Sequence, residues 1–170
     1  PRQNTKSAQD VILVGNNWDG TIDIYDPNEF KRVKVLDAVP DKAERLDELK
    51  SRIDKRVMSW LIKKLIGKGN HQLVDDMFTS RDGTKIFISR PSFADVVALD
   101  THSGKIIWRT PIEGYRSDHA AISPDGKILL VSASTARKVH AIDTKSGEIV
   151  GGFASGDSPH ENSFSQDGSR

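Results

Sequence analysis

The sequence predicts an all-β fold, a β-propeller of four-stranded antiparallel blades carrying one inserted α-helix. Three observations lead there. A block of about 43 residues recurs along the chain. Each copy sets Asp-Gly and Ser-Gly turn signals between short apolar runs. One stretch between copies trades the strand pattern for helical spacing.

The repeat is read most clearly from Asp75 to Ile106. Ser80, Asp82 and Gly83 recur as Ser123, Asp125 and Gly126. Val96, Ala98, Asp100 and Thr101 recur as Val139, Ala141, Asp143 and Thr144, and Ser103-Gly104 as Ser146-Gly147. The pattern restarts at Ser165, Asp167 and Gly168. Upstream, Val11 to Asp26 matches Lys85 to Asp100.

Within each unit, Asp-Gly between apolar runs is a tight hairpin turn, because Gly takes positive φ without steric cost. Ile86 to Ile88 and Ile128 to Val131 are short β-prone runs that suit buried strands. Val96–Leu99 and Val139–Ile142 supply the next strand, and Ile106–Trp108 and Ile149–Val150 the last. Four antiparallel strands in a repeat of about 43 residues make one propeller blade.

The expected organisation is a single partial propeller over 1–170. A first blade over 10–39 lacks its opening strand. A helical insertion occupies 41–69, a second blade 72–113 and a third 115–156. Residues 158–170 give the first strand and turn of a further blade. Such split ends often close a ring by pairing terminal strands. Three blades are too few for comfortable closure, since about four is the usual minimum. The ends therefore read as truncation, with exposed edges able to self-associate.

In the insertion, Leu46, Leu49, Ile53, Val57, Trp60, Leu61 and Leu65 recur at three- and four-residue steps. Asp41 and Glu44 resemble a capping box, and Gly67 and Gly69 supply a stop. These features predict one helix near 42–66. Its apolar face is expected to pack on the propeller itself. A partner-binding role is the functional alternative. Five acids against nine bases between Asp41 and Lys68 weigh against a membrane-surface role.

Composition narrows the classes. Twenty-five basic residues nearly cancel 24 acidic ones, so no basic stripe marks a nucleic-acid interface. Cysteine is absent, which excludes disulfide, zinc-thiolate and thiol-nucleophile chemistry. No apolar run approaches the roughly 18 residues of a transmembrane helix. The chain opens on Pro1 with no leader pattern, so it is read as a piece of a longer chain or one whose leader is gone.

Ile122-Ser-Pro-Asp-Gly-Lys127, Lys138-Val-His-Ala-Ile-Asp143 and Thr144-Lys-Ser-Gly147 resemble the YVTN-repeat, YncE-like propellers of bacteria and archaea. The resemblance implies a seven-bladed parent of roughly 300 residues, of which this chain would be a fragment. It also implies a secreted or periplasmic location. It leaves function open, because the family holds binding proteins, surface proteins and enzyme-like relatives.

Turn alternation in a meander predicts where a site would lie. Asp75-Asp76, Asp118-His119 and His160-Glu161 occupy equivalent positions leading into, or at the start of, the innermost strands. They should ring the channel mouth. Trp18, Arg90 and Arg137 lie in loops expected on the same face. Imidazole with carboxylate suits a divalent metal or acid–base chemistry. The competing reading has these groups bonding loop backbone or facing water. Strand alternation should let only one residue of each pair face the channel. The favoured function is a non-catalytic scaffold that binds a protein, glycan or small molecule through this face. The alternative is a propeller enzyme, either a metal-dependent lactonase or lyase or a quinoprotein dehydrogenase relative. No catalytic residue and no cofactor is assigned, and a divalent metal is the sole candidate addition.

Overall fold

The computed structural model describes residues 10–168. Three antiparallel meanders follow one another along the chain. Blade one comprises β1 (Ile12–Asn16), β2 (Thr21–Tyr25) and β3 (Arg32–Asp37). Blade two comprises β4 (Met77–Thr79), β5 (Lys85–Arg90), β6 (Asp95–Asp100) and β7 (Ile106–Pro111). Blade three comprises β8 (Ser117–Ile122), β9 (Ile128–Ala133), β10 (Lys138–Asp143) and β11 (Ile149–Ala154). Between blades one and two lie α1 (Lys42–Ser51) and α2 (Ile53–Leu65).

The recurring turns form as their residues dictate. The Ser80 hydroxyl donates to Asp82 at 2.6 Å, and the Asp82 carboxylate accepts from the Thr84 amide. Gly83 sits at φ +69°. Ser123, Asp125 and Gly126 repeat the arrangement, with Ser123 Oγ 2.7 Å from Asp125 Oδ1. These bonds favour the ionised form and hold Asp82 and Asp125 at about 2. The second turn is closed by Asp100 accepting from Ser103 N and by Asp143 accepting from Ser146 N. Asp26 does the same for Asn28 and Glu29 in blade one. There Phe30 occupies the left-handed position, φ +52°, that Gly104 and Gly147 hold in the other blades.

Alternation along each strand builds two cores. Ile86 and Ile88 of β5, with Val97 and Leu99 of β6, face blade one and join Ile22, Ile24 and Leu36. Phe87, Val96 and Ala98 point the other way, onto Ala120, Leu129, Val131 and Ile142 of blade three. Blade two is thus apolar on both faces, which is why β5 and β6 are buried almost throughout. Trp108 stacks on Phe87 with ring centroids 5.8 Å apart, and its indole N–H reaches Thr144 O. It is an inter-blade residue. A Cβ on Gly147 would lie 2.6 Å from its ring, so only glycine fits beneath it.

Two expectations about the insertion change. The helix is broken: Arg52 is extended (φ −121°, ψ 134°) and separates α1 from α2. Asp41 precedes α1 but makes no capping hydrogen bond. Its carboxylate instead accepts from Arg90 at 2.6 Å and pairs with Arg45. Burial pushes the Asp41 carboxyl up, but the bonds and charge of Arg90 outweigh this and leave it below the ordinary value.

Leu46 and Leu49 of α1 pack on the core shared by blades one and two. The Glu48 carboxylate gathers Arg45, Lys55 and Arg109, the last from β7. The insertion therefore docks on its own propeller through α1. No helix among the described residues is long and apolar enough to cross a membrane.

Residues 158–165 form no strand, where the repeat led to one. The Ser165–Gly168 turn itself forms, with Ser165 Oγ donating to Asp167 and Gly168 at φ +70°.

Candidate functional site

The three repeat-equivalent pairs converge. Asp75-Asp76 runs antiparallel beside β5: Asp75 N donates to Ser89 O and Ser89 N to Asp76 O. Asp118-His119 lies in β8. His160-Glu161 lies in the irregular segment beyond β11. Asn162 pins that segment by donating to His119 O at 3.1 Å and to Ser132 Oγ at 2.9 Å.

Asp76 ties blade two to blade three. Its carboxylate accepts from Ala120 N at 2.8 Å and from His119 Nδ1 at 3.2 Å. With Nδ1 held, the other ring nitrogen of His119 stands 4.0 Å from Asp118 Oδ1. The His119 and His160 rings lie 4.0 Å apart, tilted by 48°. Asp118, His119 and His160 each offer one ligand atom, and these atoms all lie within 4.8 Å of one another. Glu161 comes from the solvent side, with Oε1 3.5 Å from His119 Nδ1.

Strand alternation had suggested that only one of Asp118 and His119 could face the site. The structure corrects this through a β-bulge. Ser117 pairs with Ala133 but Ala120 pairs with Val131, so β8 carries one extra residue between them. The bulge interrupts alternation and re-aims the two side chains, letting both reach the same place.

The electrostatics are concentrated. Burial raises the pKa of Asp75. His119 opposes the rise, while Asp118 and Asp76 add to it. Its Oδ2 is buried and has no hydrogen-bond partner. His119 is pushed down by burial but up by Asp75, Asp76, Glu161 and Asp118, and the carboxylates prevail. The site thus favours positive charge, and Asp75 is the carboxylate that lacks a donor.

Arg116 and Gln72 were not anticipated. Arg116 Nε and Nη2 grip both oxygens of Asp118 at 3.0 and 3.1 Å. Gln72 Oε1 accepts from the same guanidinium. Arg116 stands just ahead of β8, two residues from Asp118, and that closeness in sequence of a base to an acid was the available signal.

The loop residues separate from the ring. Arg90 is wholly buried, which overturns its place on a ligand-binding rim. Its guanidinium lies between Asp95, at 2.7 Å, and Asp41, because a charge in the interior requires counter-charges. Trp18 is half exposed. Arg137 is exposed, sits at φ +58°, and pairs with Asp157 at 2.6 Å. Among the described residues neither contacts the ring.

No known family profile matches the chain, and no curated protein does. Among solved structures, hydrazine synthase of Kuenenia stuttgartiensis is 26% identical over 54% of this chain and 26% of that one, with a TM-score of 0.50. Dihydro-heme d1 dehydrogenase NirN, in complex with DHE, covers 92% of this chain and 27% of that one at 14% identity, with a TM-score of 0.57. The chain thus spans about a quarter of each. Both are propeller proteins, and the likeness agrees with the blades described above.

Proposed function

We propose that this chain is a ligand-holding segment of a β-propeller. Its channel mouth binds a divalent transition metal, or a ligand bearing one, through Asp118, His119 and His160. The observation that carries the reading is the convergence of two imidazoles and a carboxylate within 4.8 Å. Imidazole and carboxylate together suit zinc, iron, copper or nickel. Asp76 would act from behind. By accepting from Nδ1 it fixes the His119 tautomer and turns Nε2 inward, the carboxylate–histidine–metal arrangement. Asp75 would add a carboxyl oxygen that has no hydrogen-bond partner.

The role proposed is binding, since Asp118, His119 and His160 together offer three ligand atoms to one ion. One observation favours a second, enzymatic reading. Both neighbours named above are enzymes, and one was solved with DHE bound. On that reading the two histidines would face the metal of a haem-type cofactor, whose redox chemistry the cofactor itself would supply.

Cobalt(II) absorption tests the first reading. A visible d–d band should saturate as cobalt is added and be displaced by zinc. It should vanish in His119→Ala/His160→Ala. A band of equal strength in that double variant would refute the assignment. Haem titration of the same proteins separates the second reading: a Soret shift that needs both histidines supports it.

A further inference from the structure

The break at Arg52 sorts the charges of the insertion. Asp41 and Glu48, before and within α1, are committed to Arg90, Arg45, Lys55 and Arg109 at the propeller surface. In α2 a single acid, Asp54, stands among four bases; Lys55 is tied to Glu48, which leaves Arg56, Lys63 and Lys64 as the basic surplus. Asp54 is itself neutralised, held by Arg52 at 2.7 Å and by the Tyr115 hydroxyl. The acids of the insertion therefore leave its second helix basic.

This helix also turns its apolar stripe outward. Ile62 is its one buried side chain. On the opposite side Ile53, Val57 and Trp60 follow at helical spacing and are 73%, 49% and 57% exposed. Leu65 and Ile66 extend the apolar surface at the C-terminal end. Exposed Arg56 borders the stripe, and exposed Lys64 lies on it one turn beyond Trp60, with Nζ 5.0 Å over the Trp60 ring.

We infer that this face of α2 docks on an anionic lipid bilayer surface, with the helix lying in the plane of the interface. Its 13 residues extend about 20 Å, too short to span but enough to lie along a bilayer. Trp prefers the headgroup level, where its ring is half apolar and half wet. Lys and Arg beside it reach up to lipid phosphates while their stems cover apolar surface. A bilayer accepts such a convex, mixed face without a matching groove, and the basic surplus selects anionic lipid.

Vesicle co-sedimentation of the whole chain tests this. One set of vesicles holds phosphatidylglycerol and phosphatidylcholine in equal parts, the other phosphatidylcholine alone. The chain should pellet with the anionic set, and added salt should release it. Trp60 emission should move to shorter wavelength, a change absent in Trp60→Phe. Arg56→Glu/Lys64→Glu should weaken binding by at least about 30-fold, and Val57→Ser/Trp60→Ser should abolish it. All four side chains are exposed, so circular dichroism and the thermal midpoint should stay as in the wild type. Equal binding to both vesicle sets, no binding to either, or wild-type binding by either double variant would overturn the inference. A dimer dissolved by Val57→Ser/Trp60→Ser, without vesicle binding, would also overturn it by assigning the face to a second copy.

Discussion

Blades two and three are built from one repeat but live in different surroundings. Phe87 of blade two and Leu130 of blade three occupy the same repeat position. Phe87 is 1% exposed because blade three covers it. Leu130 is only half-buried, with the irregular 155–168 segment beyond its sheet. On the opposite face the pair Ile86 and Leu129 is buried equally, at 1% each. The repeat therefore encodes a strand with two apolar faces, and the neighbours decide which face contributes stability.

The sharpest way to break this comparison is to truncate both residues. Phe87→Ala should cost about 3–5 kcal/mol in urea unfolding, through lost burial plus a cavity. Leu130→Ala should cost about 1 kcal/mol. Equal losses would mean that the open side of blade three is as well packed as the covered side of blade two.

Next in size is the charge network specific to blade two. Blade three has no counterpart, since Arg90 and Asp95 correspond to Ala133 and Lys138. Asp95→Ala would leave the buried Arg90 with Asp41 alone, at a cost of about 3 kcal/mol. It should also loosen α1 and speed amide exchange in residues 42–51. Unchanged exchange there would show that Leu46 and Leu49 dock the helix without the ion pairs.

Blade one sharpens the comparison in the other direction. Phe30 is 73% exposed and holds a backbone conformation that its equivalents give to glycine. Phe30→Gly should stabilise by about 1 kcal/mol, seen as a higher thermal midpoint. A lower midpoint would mean that the Phe30 ring contributes more than its backbone strain costs.

The smallest effect concerns what blades two and three share. Asp82 and Asp125 stand at about 2 in the folded chain against an ordinary 3.8. Their folded values are depressed, so the stability they add is present above 3.8 and is lost as pH falls towards 2. Both turns are exposed, so each contribution is small. Asp82→Asn and Asp125→Asn should each flatten the acid limb of the stability–pH curve to the same slight degree. A large effect from one alone would show that the two turns are not equivalent.

The sequence announced the blades because their signals are local. Asp-Gly turns, Asp-x-x-Ser-Gly turns and apolar runs need no distant partner. The helix break at Arg52 was hidden, because Arg is a good helix former and nothing nearby demands an extended residue. Arg90 was placed on the rim because one of its two counter-charges, Asp41, stands 49 positions away. The cluster was legible as three equivalent pairs. Its closeness was not, since the bulge at Asp118-His119 is a matter of pairing register. Register emerges only when β8 meets β9.

The proposed site requires that those pairs act as one ligand set. Side-chain NMR of His119 and His160 during zinc titration tests this most directly. Both imidazoles should shift together and saturate at a single equivalent, and Asp76→Asn should weaken the binding about 10- to 100-fold. Shifts confined to one histidine, or none at all, would contradict it.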